Sequence, residues 1–323
     1  MAAKIMVPTR PIRETVQPQS RFKVRGGPAG IHIFHRATGL NVLLDEVNVP
    51  SASWAAAPRQ VSVALTNACD LACAFCYAPK IPATLPFERV MRWLDELDAN
   101  GCIGVGFGGG EPTLYPRLAD LCQYAAQKTA LAVSLTTHAH RFDDQLASCL
   151  AGNVHFVRVS MDGVGATYES IRGRSFAALR GRLEIVRTVA RFGINFVVNS
   201  QTLSDLDAAT ALAAEVGAAE FLLLPEQPVR GSRGIDTLTA EFFRRWVRQY
   251  RGTVPLTVSE AGAYDLPICD PFASETALRA YAHIDASGVV KRSSYDSNGE
   301  AIGEDGVMQA LEILRSRSKG DIR

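Results

Sequence analysis

Hydrophobic residues in the middle of the chain fall into two kinds of segment, short apolar runs and longer stretches with a helical period. The short runs are rich in Val, Ile, Leu and Phe, and they predict strands near residues 60–65, 103–107, 131–136, 155–161, 195–199 and 220–224. Helical spacing between them predicts helices near residues 86–98, 116–128, 142–150, 175–191 and 205–216, with a last amphipathic helix at 240–250.

This alternation predicts an α/β fold. Six strand–helix units in series favour a parallel sheet with right-handed crossovers. Six units are too few for the usual eight-stranded barrel, so we expect an open, partial (β/α)6 TIM-like barrel over residues 55–252. Ligands of such barrels bind at the carboxyl ends of the strands. The functional site is therefore predicted where the loops after the strands gather.

The alternation of strands and helices does not extend to the two ends of the chain. Residues 1–54 are predicted as a basic flexible arm, poorly ordered over residues 1–30, followed by a β-hairpin that turns at Gly39. Residues 253–323 are predicted as a small α+β cap over the barrel mouth, with a hairpin near residues 281–292 and a short closing helix.

Composition and charge exclude several classes of protein. The chain has 323 residues, 47% of them hydrophobic and 21% charged, with a net charge of +1. The near balance argues against nucleic acid as a partner. No apolar run reaches transmembrane length and the first residues lack a signal-peptide core, so we expect a cytoplasmic protein without a membrane partner. Seven cysteines, an odd number, argue against a disulfide framework.

Three of these cysteines lie together after the first barrel strand. Cys69, Cys73 and Cys76 fall within eight positions. Thiolates converging on one loop suit a soft metal, which means an iron–sulfur cluster, zinc or Cu(I). Three ligands are one short of a closed structural site, so one metal position is left open for chemistry.

The cysteine loop resembles the signature of the radical S-adenosylmethionine (radical SAM) superfamily. The spacing is C-x3-C-x2-C, with Phe75 before the last cysteine and Tyr77 after it. Two further matches occur at the expected strand ends, Gly108–Pro112 after the second strand and Val159–Gly163 at the end of the fourth. The resemblance covers about residues 59–225 and implies the same partial barrel.

The resemblance implies one 4Fe-4S cluster, with Cys69, Cys73 and Cys76 holding three irons and SAM on the fourth. An electron from a donor such as flavodoxin or ferredoxin would cleave SAM to methionine and a 5′-deoxyadenosyl radical. That radical would abstract hydrogen from a small-molecule or peptide substrate. Whether SAM is consumed or regenerated is left open.

The resemblance also implies a set of residues around SAM. They are Phe75, Tyr77, Gly109, Gly110, Glu111, Thr137, Ser160, Asp162, Arg172, Asn199 and Leu223. Glu111 would accept from the SAM amino group or hold its loop in shape, and Arg172 would pair with a carboxylate of SAM or of the fold. Relatives often carry Thr-Asn-Gly where this chain has Thr136-Thr137-His138, which makes His138 a candidate substrate contact.

The region after the barrel resembles a degenerate, cysteine-poor SPASM/twitch-type domain. Cys269 is its only cysteine, and one cysteine cannot hold an auxiliary cluster, so a single cluster is predicted. The candidates to face substrate from this region are Tyr264, Asp265, Cys269, Asp270, Tyr281 and His283.

The sequence leaves three alternative functions: peptide maturation, RNA modification and non-catalytic zinc binding. The alternative within the enzyme class is a maturase of a ribosomally made peptide. The segment before the barrel, at positions 1–54, is short for a leader-binding module, which favours a small molecule or a free peptide. RNA modification using the basic arm is disfavoured because the body is near neutral. A non-catalytic zinc-binding protein is disfavoured because the glycine and serine motifs would then be coincidences.

Overall fold

The structure is a computed structural model, and it describes residues 22–320. These begin with a three-stranded antiparallel sheet of β1 (Phe22–Gly27), β2 (Gly30–His35) and β3 (Leu40–Leu44). The strands β2 and β3 form the hairpin predicted around Gly39. The prediction of a poorly ordered arm is wrong for β1, and the part of the arm at positions 1–21 lies outside the described residues.

Basic residues of β1 fasten this small sheet to the barrel. Lys23 forms an ion pair with Asp98. Arg25 donates to the carbonyl oxygens of Ala57 and Gly101 at 3.0 and 2.8 Å, and its guanidinium faces Glu275. Both basic side chains are buried, because each finds acceptors that satisfy it away from water. These residues are anchors rather than a solvated face.

The predicted strand–helix units form the body of the molecule. Six parallel strands follow in order: β4 (Gln60–Thr66), β5 (Gly104–Gly109), β6 (Ala132–Thr137), β7 (Phe156–Ser160), β8 (Arg191–Val198) and β9 (Phe221–Pro225). The helices between them are α1 (Phe87–Ala99), α2 (Leu118–Lys128), α3 (Asp144–Leu150), α4 (Ala166–Arg172), α5 (Phe176–Val189) and α6 (Leu206–Glu215). The sheet is open, as expected for a partial barrel. The short helix α4 is an addition to the predicted elements.

The C-terminal segment enlarges the same sheet. It contains α7 (Thr237–Gln249), β10 (Leu256–Val258), β11 (Tyr281–Ile284), β12 (Val289–Lys291), β13 (Glu300–Ala301) and α8 (Gly306–Gly320). β10 pairs in parallel with β9 at one edge, and β11 pairs in parallel with β4 at the other. The segment predicted as a cap therefore adds wall strands on both sides of the barrel. None of the helices among the described residues is long and apolar enough to cross a bilayer.

Alternate residues of each barrel strand face the helices or the interior, here called the lumen. The helix-facing side is apolar, and α1 meets it with Val90, Trp93, Leu94 and Leu97, all buried at helical spacing. Each such side chain contributes about 1.5–3 kcal/mol of burial free energy. The lumen-facing side carries small or polar residues instead, so the lumen keeps a cavity of about 680 Å³.

Candidate active site

The cysteine loop follows β4 and brings three free thiols together. Cys69, Cys73 and Cys76 are all half-buried, and none is in a disulfide. The backbone N–H of Cys76 donates to the Cys73 carbonyl at 3.2 Å, and the N–H of Leu71 donates to Cys69 Sγ at 3.4 Å. These bonds shape a compact turn within the loop that carries the three sulfurs.

The electrostatics of this loop fit a cationic metal group. Burial raises the pKa of Cys69 and of Cys73. The neighbouring Cys76 raises both pKa values further, since adjacent thiolates repel one another. A bound cation removes this penalty by stabilising all three thiolates at once. The donor set of three sulfurs therefore fits an iron–sulfur cluster held at this loop.

Arg172, the last residue of α4, connects the cysteine loop to the end of β7. Its guanidinium forms an ion pair with Asp162, and its Nη1 donates to Cys73 Sγ at 3.4 Å. Although burial opposes the charge, the Asp162 carboxylate raises the pKa of Arg172 above its ordinary range. The guanidinium also lies 5.9 Å from the centre of the Phe75 ring. Of the two roles predicted for Arg172, the structure shows pairing within the fold.

Glu111 holds together the loops that follow β5 and β6. The carboxylate is 1% exposed and accepts from the hydroxyls of Thr113 and Thr137, each at 2.7 Å. Its other oxygen accepts from the backbone N–H of His138 at 3.0 Å. Both oxygens therefore have partners within the fold, which favours the loop-shaping role of the two predicted for Glu111. The Thr137 hydroxyl serves this loop as well.

His138 lies in a buried bridge, here called the clasp, rather than on the lumen surface. Its Nε2 is 2.8 Å from Asp70 Oδ1 and 3.3 Å from Glu111 Oε2. Its Nδ1 accepts from the N–H of His140 at 3.1 Å. The clasp ties the cysteine loop, through Asp70, to the ends of β5 and β6. These contacts give His138 a positioning role, and its predicted contact with substrate stays a prediction. Asp70 is not among the predicted residues, although it stands inside the cysteine motif.

The predicted glycines permit a close approach of two loops. A Cβ on Gly109 would lie 2.4 Å from the Thr66 carbonyl oxygen, and one on Gly110 would lie 2.3 Å from that of Ala68. Gly109 also has a φ of 120°, which side chains other than hydrogen disfavour. The N–H of Gly110 donates to the Thr66 carbonyl at 2.7 Å. The glycine loop thus supports the base of the cysteine loop.

The remaining predicted residues occupy different positions around the lumen. Ser160 ends β7 on its lumen-facing side, in step with Arg158, which lines the cavity. Asn199 closes a turn after β8, since its Oδ1 accepts from the N–H of Gln201 at 2.9 Å. The Asn199 amide also donates to Glu226 at 2.6 Å.

Leu223 points away from the lumen. It is buried in the hydrophobic core, and its neighbours Leu222 and Leu224 line the cavity instead. Since strand side chains alternate between faces, a lumen contact predicted for β9 belongs to those neighbours.

The C-terminal candidates separate into two groups. Tyr281 and His283 line the lumen from β11. Tyr264 is 82% exposed, and Asp265 forms an ion pair with Arg248 at 2.6 Å. Cys269 and Asp270 line a different cavity, near Arg59 and β10. Two of the six candidates therefore face the cavity beside the cysteine loop.

Tyr77 and Tyr295 share this cavity. The Tyr77 ring lies 5.7 Å from that of Tyr295 and meets His283 edge-on at 6.0 Å. Burial raises the pKa of Tyr77 well above its ordinary value, so its hydroxyl keeps its proton. Sequence reasoning missed Tyr295, because it lies outside any motif and no local signal points to it.

Part of the chain is similar in sequence to a known protein family and to individual known proteins. The family model described as "Radical SAM superfamily" matches residues 63–206. Fe-coproporphyrin III synthase of Methanosarcina barkeri is 31% identical over 47% of this chain and 40% of its own length. Mycofactocin maturase MftC of Mycolicibacterium smegmatis is 31% identical over 50% of this chain and 43% of its own length. The matched region thus spans about two-fifths of the length of these two relatives.

Solved structures share the fold. SuiB of Streptococcus suis bound to the precursor peptide SuiA superposes with a TM-score of 0.71 at 13% identity, over 91% of this chain and 88% of that one. The anSMEcpe protein with bound AdoMet gives a TM-score of 0.59 at 17% identity, over 79% of this chain and 80% of that one. The family model and the curated relatives thus identify residues 63–206, which contain the C-x3-C-x2-C loop, as similar to the radical SAM superfamily, and the solved structures show the fold alone.

Proposed function

We propose that the protein is a radical SAM enzyme with one 4Fe-4S cluster held by Cys69, Cys73 and Cys76. The observation that carries the proposal is the loop of three free, half-buried thiols at the mouth of an open barrel. When bound, the cluster and SAM supply reductive cleavage to methionine and a 5′-deoxyadenosyl radical that removes hydrogen from the substrate. An electron donor of the flavodoxin or ferredoxin type would deliver the electron.

The chain's own residues would position these groups. Arg172 donates to Cys73 Sγ and stabilises negative charge on that sulfur. The Ser160 hydroxyl, at the end of β7, makes no hydrogen bond to the described residues and is free to donate to SAM. Leu222 and Leu224 would provide the apolar wall for the adenine side of SAM.

The substrate class that we propose is a peptide. Two kinds of curated relatives are named for maturation, the MftC proteins and the sporulation killing factor maturation protein SkfB of Bacillus subtilis, and the SuiB structure of the same fold is bound to a precursor peptide. The cavity of about 680 Å³ is open enough to admit part of an extended chain. A small molecule is the second candidate, because the Fe-coproporphyrin III synthase is also a relative.

The test is cluster assembly on the purified protein. We expect anaerobic reconstitution with iron and sulfide to give about four irons and four sulfides per chain, the content of a single 4Fe-4S cluster. The reduced cluster should give an electron paramagnetic resonance signal that SAM changes, because one iron lacks a protein ligand. Stoichiometric zinc without an iron chromophore, or a signal that SAM leaves unchanged, would sink the proposal.

A further inference from the structure

A chain of hydrogen bonds lines the lumen between β4 and β11. Ser62 Oγ lies 2.6 Å from the Tyr281 hydroxyl and 2.6 Å from His283 Nδ1. The parallel pairing of the two strands places His283 directly beside Ser62 in register. Since these side chains point into the lumen, β11 supplies polar groups to the barrel wall.

The second nitrogen of His283 faces open space. His283 is 3% exposed, yet its Nε2 makes no hydrogen bond to the described residues. The residue lines both the lumen cavity and a smaller cavity of about 260 Å³ beside it. Ser62 and the Tyr77 ring hold the imidazole plane from two sides. A fixed, buried nitrogen is therefore aimed at a site for a ligand.

Space for that ligand lies in the lumen beside Ser62, in front of the neighbouring strands β5 and β6. Ser62 is beside Gly106 of β5, and Gly106 is beside Ser134 of β6. Gly106 carries no side chain and lines the lumen cavity, where a Cβ would lie 3.1 Å from Ser134 Oγ and 3.6 Å from Gln60 Nε2. The Ser134 hydroxyl donates to the Val105 carbonyl at 3.2 Å and is already satisfied. A group next to Ser62 would therefore find His283 Nε2 and the Gln60 amide as its polar partners.

The site is neutral. Burial lowers the pKa of His283 to about 4, so its imidazole is uncharged near pH 7. The charged groups nearest to it, Asp285 and Lys291, pair with each other at 2.9 Å. Deeper in the lumen, Arg158 pairs with Glu220 at 2.5 Å. The exposed Arg230 lines the smaller cavity, but the charged groups named here are paired, so burying a substrate carboxylate or ammonium beside His283 would be costly.

The hydrogen-bond chain can run in either direction. Both hydroxyls rotate, so Ser62 either donates to His283 Nδ1 or accepts from it. In the first case Nε2 carries the proton and donates, and in the second it accepts. An amide offers one donor and one acceptor without net charge, and it matches such a nitrogen in both states.

We propose that Tyr281, Ser62 and His283 form a substrate subsite that binds a neutral amide group through His283 Nε2. A peptide bond or a carboxamide side chain is the chemical class that it takes. No bond is broken in this step, and His283 acts as a specificity-determining residue. The inference rests on the proposed function, because it takes the lumen as the place of the substrate.

The test uses N-acetylalanine methylamide as the probe and the reconstituted protein with SAM bound. Histidine labelled with nitrogen-15 reports the His283 ring, whose signal is identified by its loss in His283→Gln. We expect the probe to shift that signal in a saturable way. Ser62→Ala and Tyr281→Phe should each weaken the probe's affinity about tenfold, the order of one hydrogen bond. Ser134→Ala is the matched control, and it should bind the probe like the original protein.

Acetate and methylammonium ions test the charge argument, and neither should shift the His283 signal. An amide affinity unchanged in Ser62→Ala and Tyr281→Phe, or an equal response to acetate, would overturn the subsite. The iron chromophore and SAM cleavage are measured on the same sample. A sample with both and no amide response refutes the subsite alone, and an amide response without either refutes the proposed function alone.

Discussion

Replacing Arg172 tests the bridge between the cysteine loop and the barrel wall. The Arg172 side chain is 11% exposed, and its Asp162 partner is 1% exposed. Arg172→Met keeps most of the length and apolar volume but removes the charge. Asp162 would then be a buried carboxylate with the N–H of Val197, at 2.7 Å, as its remaining donor.

The expected cost follows from the loss of one partner of a buried ion pair. Such a loss destabilises a protein by about 3–5 kcal/mol, because the other charge stays buried without compensation. Arg172 Nε has no hydrogen-bond partner among the described residues, so the native guanidinium does not recover its whole cost of dehydration. We therefore expect the lower end, about 3 kcal/mol of unfolding free energy.

The assay is urea unfolding of Arg172→Met, Asp162→Asn and the double variant. The double variant should be less destabilised than the sum of the two single variants by about 2 kcal/mol, since the second change removes a charge already left unpaired. Arg180→Met is the control, because Arg180 forms an exposed pair with Glu215, and its loss should cost under about 1 kcal/mol. The reasoning is refuted if Arg172→Met costs no more than this control or if the two single effects simply add.

Three further predictions concern the clasp, the number of clusters and the buried histidine of β11. His138→Ala removes the tie to Asp70, and we expect reconstituted protein to hold less iron; an unchanged iron content would show that the clasp has no positioning role. Cys269→Ala should leave the iron–sulfur absorbance intact because Cys269 is exposed and apart from the cysteine loop, and a chromophore lost with it would disprove the single cluster. The folded-state pKa of His283, about 4, is below the unfolded value, so its stabilising contribution is present above about pH 6.5 and declines as the pH falls toward 4. Between about pH 7.5 and 5.5 the original protein should lose about 1 kcal/mol more unfolding free energy than His283→Gln, and equal losses would contradict a neutral buried imidazole.

Local patterns in the sequence are enough to predict the barrel and its cysteine loop. Strand periodicity and the spacing of Cys69, Cys73 and Cys76 are properties of short segments, so no knowledge of distant partners is needed. The helix α4 escapes prediction because its seven residues carry too few apolar positions to show a period.

Contacts between distant residues cannot be predicted in this way. β11 joins β4 from the far end of the chain, and no pattern inside so short a strand indicates that pairing. Lys23 and Arg25 belong to a basic arm by sequence alone, because their partners Asp98 and Glu275 are known only from the fold. The clasp of His138 with Asp70 is hidden for the same reason.

The measurement that tests the central claim most directly is SAM cleavage by the reconstituted protein. Under anaerobic conditions with dithionite, we expect 5′-deoxyadenosine and methionine to form in equal amounts. Cys69→Ala, Cys73→Ala and Cys76→Ala should each abolish both products, whereas Cys149→Ala, a change at an exposed cysteine on α3, should not. No cleavage by protein that carries a full iron–sulfur cluster would contradict the account.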